Sequence, residues 1–283
     1  MSAVLGGLGA AACFAVSTLS SSRTSRMIGP GSVLAWVALV GLAVAVPAVL
    51  LSGAPHRFDG TELAWLALSG TGNAAGLLLS YAGLRRGRVG IVAPIVSTEG
   101  AVAAVIAVAS GERIRLAGET TLLAIAAGVA LVAVARDAAG TGNAARARAP
   151  ALLGAVAALA FGGSLYATAK VGRDLPLAWA ILPGRLVGAA LVALPLVIGS
   201  RLRITRAAAP LVVLAGLCEV AGFASYTLGA RNQVAVSAVI ASMFASLATV
   251  AAYFLFGERL GRRQILGVAM IALGVAALSA LQA

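Results

Sequence analysis

The chain has 283 residues, of which 61% are hydrophobic and 11% are charged, and its mean hydropathy is +1.02. Soluble domains have about 25% charged residues, so this composition excludes a soluble globular protein and indicates an integral membrane protein almost throughout. The net charge of +12 does not indicate a nucleic-acid-binding protein, because the arginines form short clusters between apolar runs and do not cover one solvated face.

Ten apolar runs, here called spans 1 to 10, reach the length of about 20 residues that a helix needs to cross a bilayer. Helices are expected because lipid offers an open backbone no hydrogen-bond partner. No positively charged region precedes the first run, so it is predicted to be a membrane helix and not a cleaved signal peptide. The approximate bounds of the spans are 2–20, 31–52, 62–83, 89–109, 118–136, 150–170, 176–199, 207–229, 234–256 and 264–282.

Two segments in the first half of the chain recur in the second half. Residues 80–94 (SYAGLRRGRVGIVAP) correspond to residues 225–239 (SYTLGARNQVAVSAV) after a shift of 145 residues. Residues 111–135 correspond to residues 257–281 after a shift of 146 residues. An internal repeat in a membrane chain is typical of secondary transporters, whose substrate site lies where the repeats meet.

The repeat predicts the organisation of the whole chain. Five spans per copy are an odd number, so the second copy must enter the membrane from the opposite side. The predicted fold class is therefore an all-α integral membrane protein with ten transmembrane helices arranged as two inverted five-helix repeats. Repeat 1 comprises residues 1–136, repeat 2 comprises residues 150–283, and a flexible polar linker at residues 137–149 joins them. Both termini are then expected on the same side of the membrane.

A Gly-Glu-Arg motif precedes the last span of each repeat. Gly111-Glu112-Arg113 is followed by an apolar run that contains Gly128-Val129, and Gly257-Glu258-Arg259 is followed by one that contains Gly274-Val275. These motifs resemble the closing signature of the EamA-type repeat, which belongs to the drug/metabolite transporter superfamily. The repeated Ser-Tyr-x-x-x-x-Arg segments fit the junction between the third and fourth helices of the same repeat.

The resemblance implies a ten-helix carrier that moves small metabolites, often amino acids or amphipathic compounds, and commonly outward. It also implies cytoplasmic termini, whereas most basic residues lie in loops opposite the termini, which by the positive-inside rule favours external termini. The side that the termini face therefore stays open. The resemblance further implies an arginine in the second helix of a repeat. Arg185 matches it in span 7, but Val37 occupies the equivalent position in repeat 1.

Three charged residues lie near the middle of predicted spans: Glu99, Arg185 and Glu219. A charge at the bilayer centre costs about 2.5–3.5 kcal/mol on insertion scales, so these residues require compensation or a function. An arginine pairs with one carboxylate and leaves the other for a proton or for the ammonium group of a substrate. The alternative is a pair of Arg185 with Glu219 or Glu99 that only fixes helix packing. Glu112 and Glu258 lie in loops, where capping or ion pairing is expected.

Polar residues also recur at helical spacing on several spans. They indicate either the lining of a central cavity or small residues that let membrane helices pack closely and form hydrogen bonds. On span 8, Glu219, Gly222 and Tyr226 share a face, which favours the lining interpretation. The other positions are Ser69, Asn73, Gly76 and Ser80 on span 3, Ser164 and Thr168 on span 6, and Ser242, Ser246, Thr249 and Tyr253 on span 9.

Prolines predict two helix breaks near these charges. Pro183-Gly184 immediately precede Arg185, and Pro94 lies five residues before Glu99. A proline within a helix frees a carbonyl oxygen and favours a kink, and exposed backbone beside a charge is how carriers often build a site. A kink that serves only packing is the alternative.

No sequence motif indicates an enzyme. HExxH, GxSxG and Walker motifs are absent, so neither catalysis nor ATP-driven pumping is expected. Cys13 and Cys218 lie in apolar runs without CxxC spacing, and His56 is the one histidine, so no metal or cofactor is expected; proton coupling is left open.

An aromatic content of 5% argues against an aromatic cage for large cations. The aromatic residues available within spans are Phe161, Tyr166, Trp179, Tyr226 and Phe244.

The sequence as a whole predicts a secondary active transporter of the inner or plasma membrane. We expect it to export a small metabolite such as an amino acid or an amphipathic compound, by alternating access between the repeats. The alternative is a membrane scaffold or accessory subunit that transports nothing. The expected partners are the substrate and the lipid bilayer, without nucleic acid, and the chain is expected to be a monomer or a homodimer. The residues predicted to bind substrate or a coupling proton are Glu99, Arg185, Glu219, Tyr226, Asn73, Ser242 and Ser246.

Overall fold

The computed structural model of this chain describes four stretches and a few separate positions. All regular structure within these stretches is helical. Predicted spans 5 and 10 fall almost entirely outside the described residues, as does the first part of the predicted linker. The described residues are 2–53, 59–87, 89–112 and 144–256, with separate helical positions between 120 and 127 and between 266 and 273.

The helices are numbered here in chain order, with α1 to α5 in the first half of the chain and α6 to α11 in the second. A π-helical segment, Ala189–Ala193, lies between α7 and α8. The last residues of the predicted linker, from Ala144, already belong to α6. The bounds are α1 Ala3–Ile28, α2 Pro30–Ser52, α3 Gly60–Arg86, α4 Val89–Val96, α5 Glu99–Ala109, α6 Ala144–Asp174, α7 Leu177–Gly188, α8 Leu194–Ile198, α9 Ala209–Ala230, α10 Val234–Ala241 and α11 Phe244–Phe256.

Six helical stretches among the described residues are long and apolar enough to cross a membrane. They are α1, α2, α3, the part of α6 that starts at Ala149, the continuous stretch from α7 to α8, and α9. Predicted spans 4 and 9 are present as the pairs α4–α5 and α10–α11, in which a turn interrupts an apolar helix. The chain is therefore a multi-pass α-helical membrane protein, as its composition predicts.

Helix α1 is longer than predicted span 1, which was expected to end at Ser20. A run of hydroxyl residues continues the helix to Ile28. Thr24 Oγ1 donates a hydrogen bond to the Ser20 carbonyl at 2.9 Å, so the hydroxyl is satisfied inside the helix and is buried without breaking it. Gly29, with a φ of +86°, ends the helix, and Pro30 occupies the first position of α2, where its missing N–H costs nothing.

The turns that interrupt the two broken spans lie at equivalent places in the sequence repeat. One turn is at Ser97–Thr98 and the other is at Ser242–Met243, which the repeat shift of 145 residues relates to one another. The Thr98 and Ser242 hydroxyls each donate a hydrogen bond to the carbonyl three residues earlier, at 2.7 and 2.6 Å. Such bonds offer the backbone an alternative to continued helix.

The helices that contain Pro94 and Pro183 continue through these prolines, and the interruptions of regular helix lie elsewhere. Helix α4 continues past Pro94 to Val96, and α10 ends without containing a proline. Likewise, α7 continues through Pro183 to Gly188, and the irregular backbone is the π-helical segment that follows it. That segment lies just before Pro195, which cannot donate to a carbonyl four residues earlier and would clash with it in a regular α-helix. The wider π turn accommodates the ring.

Hydrogen bonds between helix ends define the two ends of the bundle. At the end that holds the N-terminus, here called the terminal end, Ser237 Oγ donates to the Ala3 carbonyl at 3.0 Å. Arg231 Nε donates to the Gly172 carbonyl at 2.8 Å in the same region. The start of α1, the ends of α6 and α9, and the start of α10 therefore meet at the terminal end.

The opposite end, here called the arginine end, is rich in exposed basic residues. Arg26 Nη2 donates to the Gly87 carbonyl at 3.1 Å, and Trp36 Nε1 donates to the Arg203 carbonyl at 3.0 Å. The end of α1, the end of α3, the start of α2 and the segment after α8 therefore meet there. Helices α2 and α7 run antiparallel, since Trp179 at the start of α7 donates to the Gly53 carbonyl that follows α2.

Glycines allow the central helices to pack in direct backbone contact. A Cβ atom at Gly6 of α1 would lie 2.6 Å from Cα of Gly229 in α9. A Cβ atom at Gly70 of α3 would lie 2.9 Å from the Pro183 carbonyl carbon in α7. Because membrane helices gain little from the hydrophobic effect, close approach through small residues is what holds them together. These contacts fix α1, α3, α7 and α9 around the centre of the bundle.

Candidate functional site

A cavity lies inside the bundle, between helices from both halves of the chain. The cavity volume is about 40 Å³, which is room for a few water molecules at about 10–15 Å³ each. Its lining combines two carboxylates, hydroxyl groups and aromatic rings. The lining residues are Phe14, Ser17, Thr18, Leu77, Ser80, Tyr81, Ala93, Val96, Glu99, Phe161, Leu165, Glu219, Phe223 and Phe244.

Aromatic rings form much of the apolar lining. The ring of Phe14 packs edge to face against Phe223, with 5.4 Å between centroids, and against Phe244, with 6.4 Å. Phe161 and Tyr81 add two further rings. Five aromatic residues therefore line the cavity, although aromatic residues make up only 5% of the chain.

The carboxylate of Glu219 is paired within the protein. Arg185 Nη2 lies 3.6 Å from Glu219 Oε2, and the two side chains are only 2% and 8% exposed. Ser17 donates a hydrogen bond to Glu219 Oε1 at 3.0 Å. The Arg185 guanidinium also lies 5.5 Å from the centroid of the Phe223 ring, within cation–π distance. One of the two pairings expected from the sequence is therefore present, and Arg185 neutralises Glu219.

Arg185 is enclosed by helices on both sides. A Cβ atom at Gly41 of α2 would lie 2.5 Å from Arg185 Cδ, so only glycine leaves room for this side chain. On the other side, the predicted site residue Asn73 faces Gly184, where a Cβ atom would lie 2.5 Å from Asn73 Oδ1. Both the Asn73 amide and Arg185 Nε are buried without a hydrogen-bond partner among the described residues. Such groups are costly in a low-dielectric interior.

Glu99 is the second carboxylate of the cavity, and its surroundings differ from those of Glu219. It is the first residue of α5, directly after the break at Ser97–Thr98, and it is 5% exposed. Its side chain lines the cavity. No basic side chain lies within 4 Å of its carboxylate in the part of the chain that the structure describes. Both carboxylates line the same cavity, and of the two only Glu219 has a basic partner among the described residues.

Hydroxyl groups line the side of the cavity nearer the arginine end. Thr18, Ser80 and Tyr81 are among them, and Tyr81 lies about two helical turns before Gly87 at the arginine end. The Tyr81 and Ser21 hydroxyls are buried, and neither has a hydrogen-bond partner among the described residues. A polar wall thus extends from Glu219 toward the arginine end.

Three other predicted site residues lie outside the cavity lining. Tyr226 is fully buried and donates a hydrogen bond to the Leu165 carbonyl at 3.0 Å, which joins α9 to α6. Ser242 packs against Gly100, where a Cβ atom would lie 2.6 Å from Ser242 Cβ. Ser246 is also buried. In this structure, only Glu99 and Glu219 of the seven predicted residues line the cavity, with Arg185 behind Glu219.

The polar residues at helical spacing on α3 were interpreted either as cavity lining or as helix packing, and the structure shows one role at each end of the helix. Ser69 and Thr168 share a hydrogen bond of 2.6 Å between their hydroxyls, and Ser164 donates to the Ser69 carbonyl at 2.8 Å. These bonds join α3 to α6, which is a packing role. Ser80, three turns along the same helix, lines the cavity. The stripe therefore packs at one end and lines the site at the other.

Glu112 caps the start of α10, as expected for the loop glutamates. Its carboxylate accepts hydrogen bonds from the backbone N–H groups of Val234 and Ala235, at 3.2 and 3.1 Å. Arg173 Nη2 lies 3.8 Å from the same carboxylate. The prediction of capping and loop ion pairing is confirmed for Glu112, and Glu258 lies outside the described residues.

Several lining residues were not identified from the sequence. Phe14 and Ser17 lie on α1, for which the sequence suggested no polar face, and Phe223 lies one turn after Glu219 on α9. The one available signal was Tyr81, which is the repeat equivalent of Tyr226. The shared Ser-Tyr pair marks the site in one copy, while in the other it fixes two helices to one another.

Comparison with known proteins relates the first half of the chain to one family. Residues 1–134 match the EamA-like transporter family. A solved structure described as "Crystal structure of protein" superimposes with a TM-score of 0.76 over 99% of this chain and 96% of its own length, at 21% sequence identity. The first half of the chain is therefore similar to EamA-like transporters. No curated protein sequence matches it significantly.

The family match indicates the general kind of function that the site could serve. EamA-type proteins are transporters, which agrees with a multi-pass helical protein without enzyme motifs. At 21% identity, the structural likeness supports the fold and carries no information on what is transported. The chemistry of the cavity must therefore supply the argument for the substrate.

Proposed function

We propose that this protein is a secondary active transporter that exports a small metabolite by alternating access between two inverted repeats. The observation that carries the proposal is the cavity itself: it is enclosed by helices of both halves and contains Glu99 and Glu219. A buried carboxylate without a partner is costly in a membrane protein and is typical of substrate or proton sites. Repeat 1 comprises residues 1–136 and repeat 2 comprises residues 150–283.

The directions of equivalent helices support the inversion. Helix α1 begins at the terminal end with Ala3, whereas its counterpart α6 ends there near Gly172. Helices α2 and α7, the second of each repeat, are antiparallel. The two broken helices carry their turns at repeat-equivalent positions. These relations are those of two copies related by an axis in the membrane plane.

The contacts at the two ends support a cavity that is reached from the arginine end. At the terminal end, Gly6 and Gly229 are in backbone contact, and Glu112 ties the end of α5 to the start of α10. The polar lining, by contrast, extends toward the arginine end through Ser80 and Tyr81. Export then requires the terminal end to open while the arginine end closes.

The arginine end is proposed to face the cytoplasm, in the inner or plasma membrane. Basic loops are retained on the cytoplasmic side during insertion, and Arg26 and Arg203 belong to this end. A cavity reached from the cytoplasm also suits an exporter. This orientation places the termini outside, in contrast to the cytoplasmic termini that the family resemblance implies. A C-terminal alkaline phosphatase fusion is expected to be active, and an inactive phosphatase with a fluorescent C-terminal GFP fusion would reverse the orientation.

Glu99 is the residue proposed to bind a coupling proton, because Arg185 already neutralises Glu219. The test combines two measurements. Metabolite profiling of cells with and without the protein identifies the solute that it moves, and proteoliposomes then measure uptake of that solute under an imposed pH gradient. Glu99→Gln is expected to abolish gradient-driven uptake. Gradient-driven uptake at the wild-type rate would remove the proton role from Glu99.

A scaffold without transport activity is the competing function. It is consistent with the mutual neutralisation of Arg185 and Glu219, which by itself serves packing. It gives no reason for an unpaired carboxylate at Glu99 in a cavity that admits water. Profiles that do not differ for any solute, together with inactive proteoliposomes, would favour the scaffold.

A further inference from the structure

We propose that the cavity binds a small monovalent organic amine, with its ammonium group against Glu99 and its apolar part against the phenylalanine rings. This inference rests on the transport function proposed above and specifies the class of its substrate. It follows from three features of the cavity: its charge, its aromatic lining and the position of its arginine.

One of the two carboxylates in the cavity has no basic partner among the described residues, so a ligand with one positive charge would balance it. Glu219 is paired with Arg185 at 3.6 Å and accepts a hydrogen bond from Ser17 at 3.0 Å. Glu99 is 5% exposed, lines the cavity and has no basic neighbour within 4 Å among the described residues. With both carboxylates ionised, the site therefore has a net charge of one negative unit. A single ammonium group supplies the missing charge, whereas a dication would exceed it.

The aromatic lining favours an organic cation over a metal ion. The rings of Phe14, Phe161 and Phe244 line the cavity together with Glu99, and aromatic faces attract cations and cover apolar groups at once. The site already contains one such contact, since the Arg185 guanidinium lies 5.5 Å from the centroid of Phe223. Inorganic cations prefer a shell of several oxygen ligands. Oxygen groups such as Ser17 and Ser80 lie on one part of the lining, but the rings cannot serve as ligands and instead favour a ligand with an apolar part.

The position of Arg185 argues against a free amino acid. The carboxylate of a zwitterion would require a cation that faces the cavity. Arg185 is 2% exposed, is held by Glu219 and is enclosed by Gly41, and it does not belong to the lining. An amino acid that placed its ammonium at Glu99 would leave its carboxylate without a cation among the cavity lining. The amine that corresponds to an amino acid without its carboxylate avoids this cost.

The size of the cavity limits the ligand to a few heavy atoms beyond the amine. The cavity volume is about 40 Å³, so a bulky multi-ring cation would require the helices to separate. Short alkylamines meet the limits of charge, apolarity and size together. Single-ring arylalkylamines meet those of charge and apolarity, and they require the lining side chains to move apart.

Matched ligand pairs test the inference with the full-length protein in lipid nanodiscs. Isothermal titration calorimetry compares phenethylamine with phenylalanine and 2-phenylethanol, and isoamylamine with leucine and 3-methylbutanol. At least one amine is expected to bind about tenfold or more tightly than its amino acid and its alcohol. The alcohol lacks the ammonium group, and the amino acid adds a carboxylate that the site does not balance. Binding of neither amine, or an amino acid that binds as tightly as its amine, would overturn the inference.

Two variants and a control assign the binding to the proposed contacts. Glu99→Gln is expected to weaken amine binding by at least about tenfold, and Phe161→Leu by about threefold or more. Asp174→Asn makes the same type of change as Glu99→Gln at an exposed position and is expected to leave amine binding unchanged. If Glu99→Gln does not fold, Phe161→Leu decides. Amine affinity unchanged in the folded variants would overturn the inference.

Transport assays separate this inference from the proposed function. If an amine binds but does not exchange across proteoliposome membranes, the substrate class of the site stands and the transport function fails. If the protein moves another solute and binds no amine, the transport function stands and the present inference fails.

Discussion

Glu99 and Glu219 are the same residue type in one cavity, yet their neighbours give them different roles. Arg185 and Ser17 hold Glu219, so its charge is compensated within the protein. The gain from such a buried pair is largely offset by the loss of hydration of both groups. The pair therefore adds little stability in itself, but it determines which carboxylate is left to meet a ligand.

The Arg185–Glu219 pair predicts strong coupling between two substitutions. Arg185→Gln is expected to destabilise the protein by about 3–5 kcal/mol, because it leaves Glu219 buried without its counter-charge. Adding Glu219→Gln removes that charge and is expected to recover a large part of the loss. The measurement is the unfolding of the purified single and double variants in detergent. Additive losses from the two substitutions would show that the ion pair is not formed.

Gly41 is predicted to be essential because Arg185 occupies the space of its missing side chain. In Gly41→Ala the new Cβ would lie 2.5 Å from Arg185 Cδ, an overlap that is expected to cost about 1–3 kcal/mol. Gly31→Ala is the matched control in the same helix, since the nearest atom to its new Cβ lies at 3.6 Å. The apparent melting temperature of Gly41→Ala should fall below that of Gly31→Ala. Equal melting temperatures would contradict the enclosed position of Arg185.

At the scale of helices, apolar length was the most informative signal in the sequence. It predicted α2 almost to the residue, but it ended α1 at Ser20, because buried hydroxyls that bond within their own helix read as polar. It also attributed helix breaks to Pro94 and Pro183. The actual breaks depend on side-chain hydrogen bonds and on the π turn before Pro195, which are local geometries that composition does not encode.

The capping bond of Glu112 predicts a local effect at the terminal end. Glu112→Ala removes the acceptor for the Val234 and Ala235 N–H groups, and the loss of such a cap costs about 0.5–2 kcal/mol. The N-terminal turn of α10 should then open more often, which hydrogen exchange of peptides that cover residues 234–241 measures as faster deuterium uptake. Asp174→Ala, an exposed acidic residue at the same end, serves as the control and should leave this exchange unchanged. Identical exchange in both variants would contradict the cap.

At the scale of the whole molecule, the internal repeat was visible in the sequence, and the mid-span charges located the centre. Glu99 and Glu219 were placed in one site because few charges belong inside a membrane. The partners that α1 contributes, Phe14 and Ser17, were not predictable. They depend on how closely α1 packs against α9, and this follows from contacts such as Gly6 with Gly229 that no single segment specifies.

Alternating access predicts that the terminal end must open during each transport cycle. Ala3 and Ser237 are joined across this end by a hydrogen bond of 3.0 Å, so cysteines at these two positions can be bridged by a short bis-methanethiosulfonate reagent. In a background with Cys13→Ser and Cys218→Ser, the bridge is expected to abolish transport in proteoliposomes while binding from the arginine end persists. Reduction of the bridge should restore transport, and the reagent should not inhibit either single-cysteine variant. Because a scaffold or a carrier that opens elsewhere needs no movement here, transport that continues with the bridge complete would show that this end is not the gate.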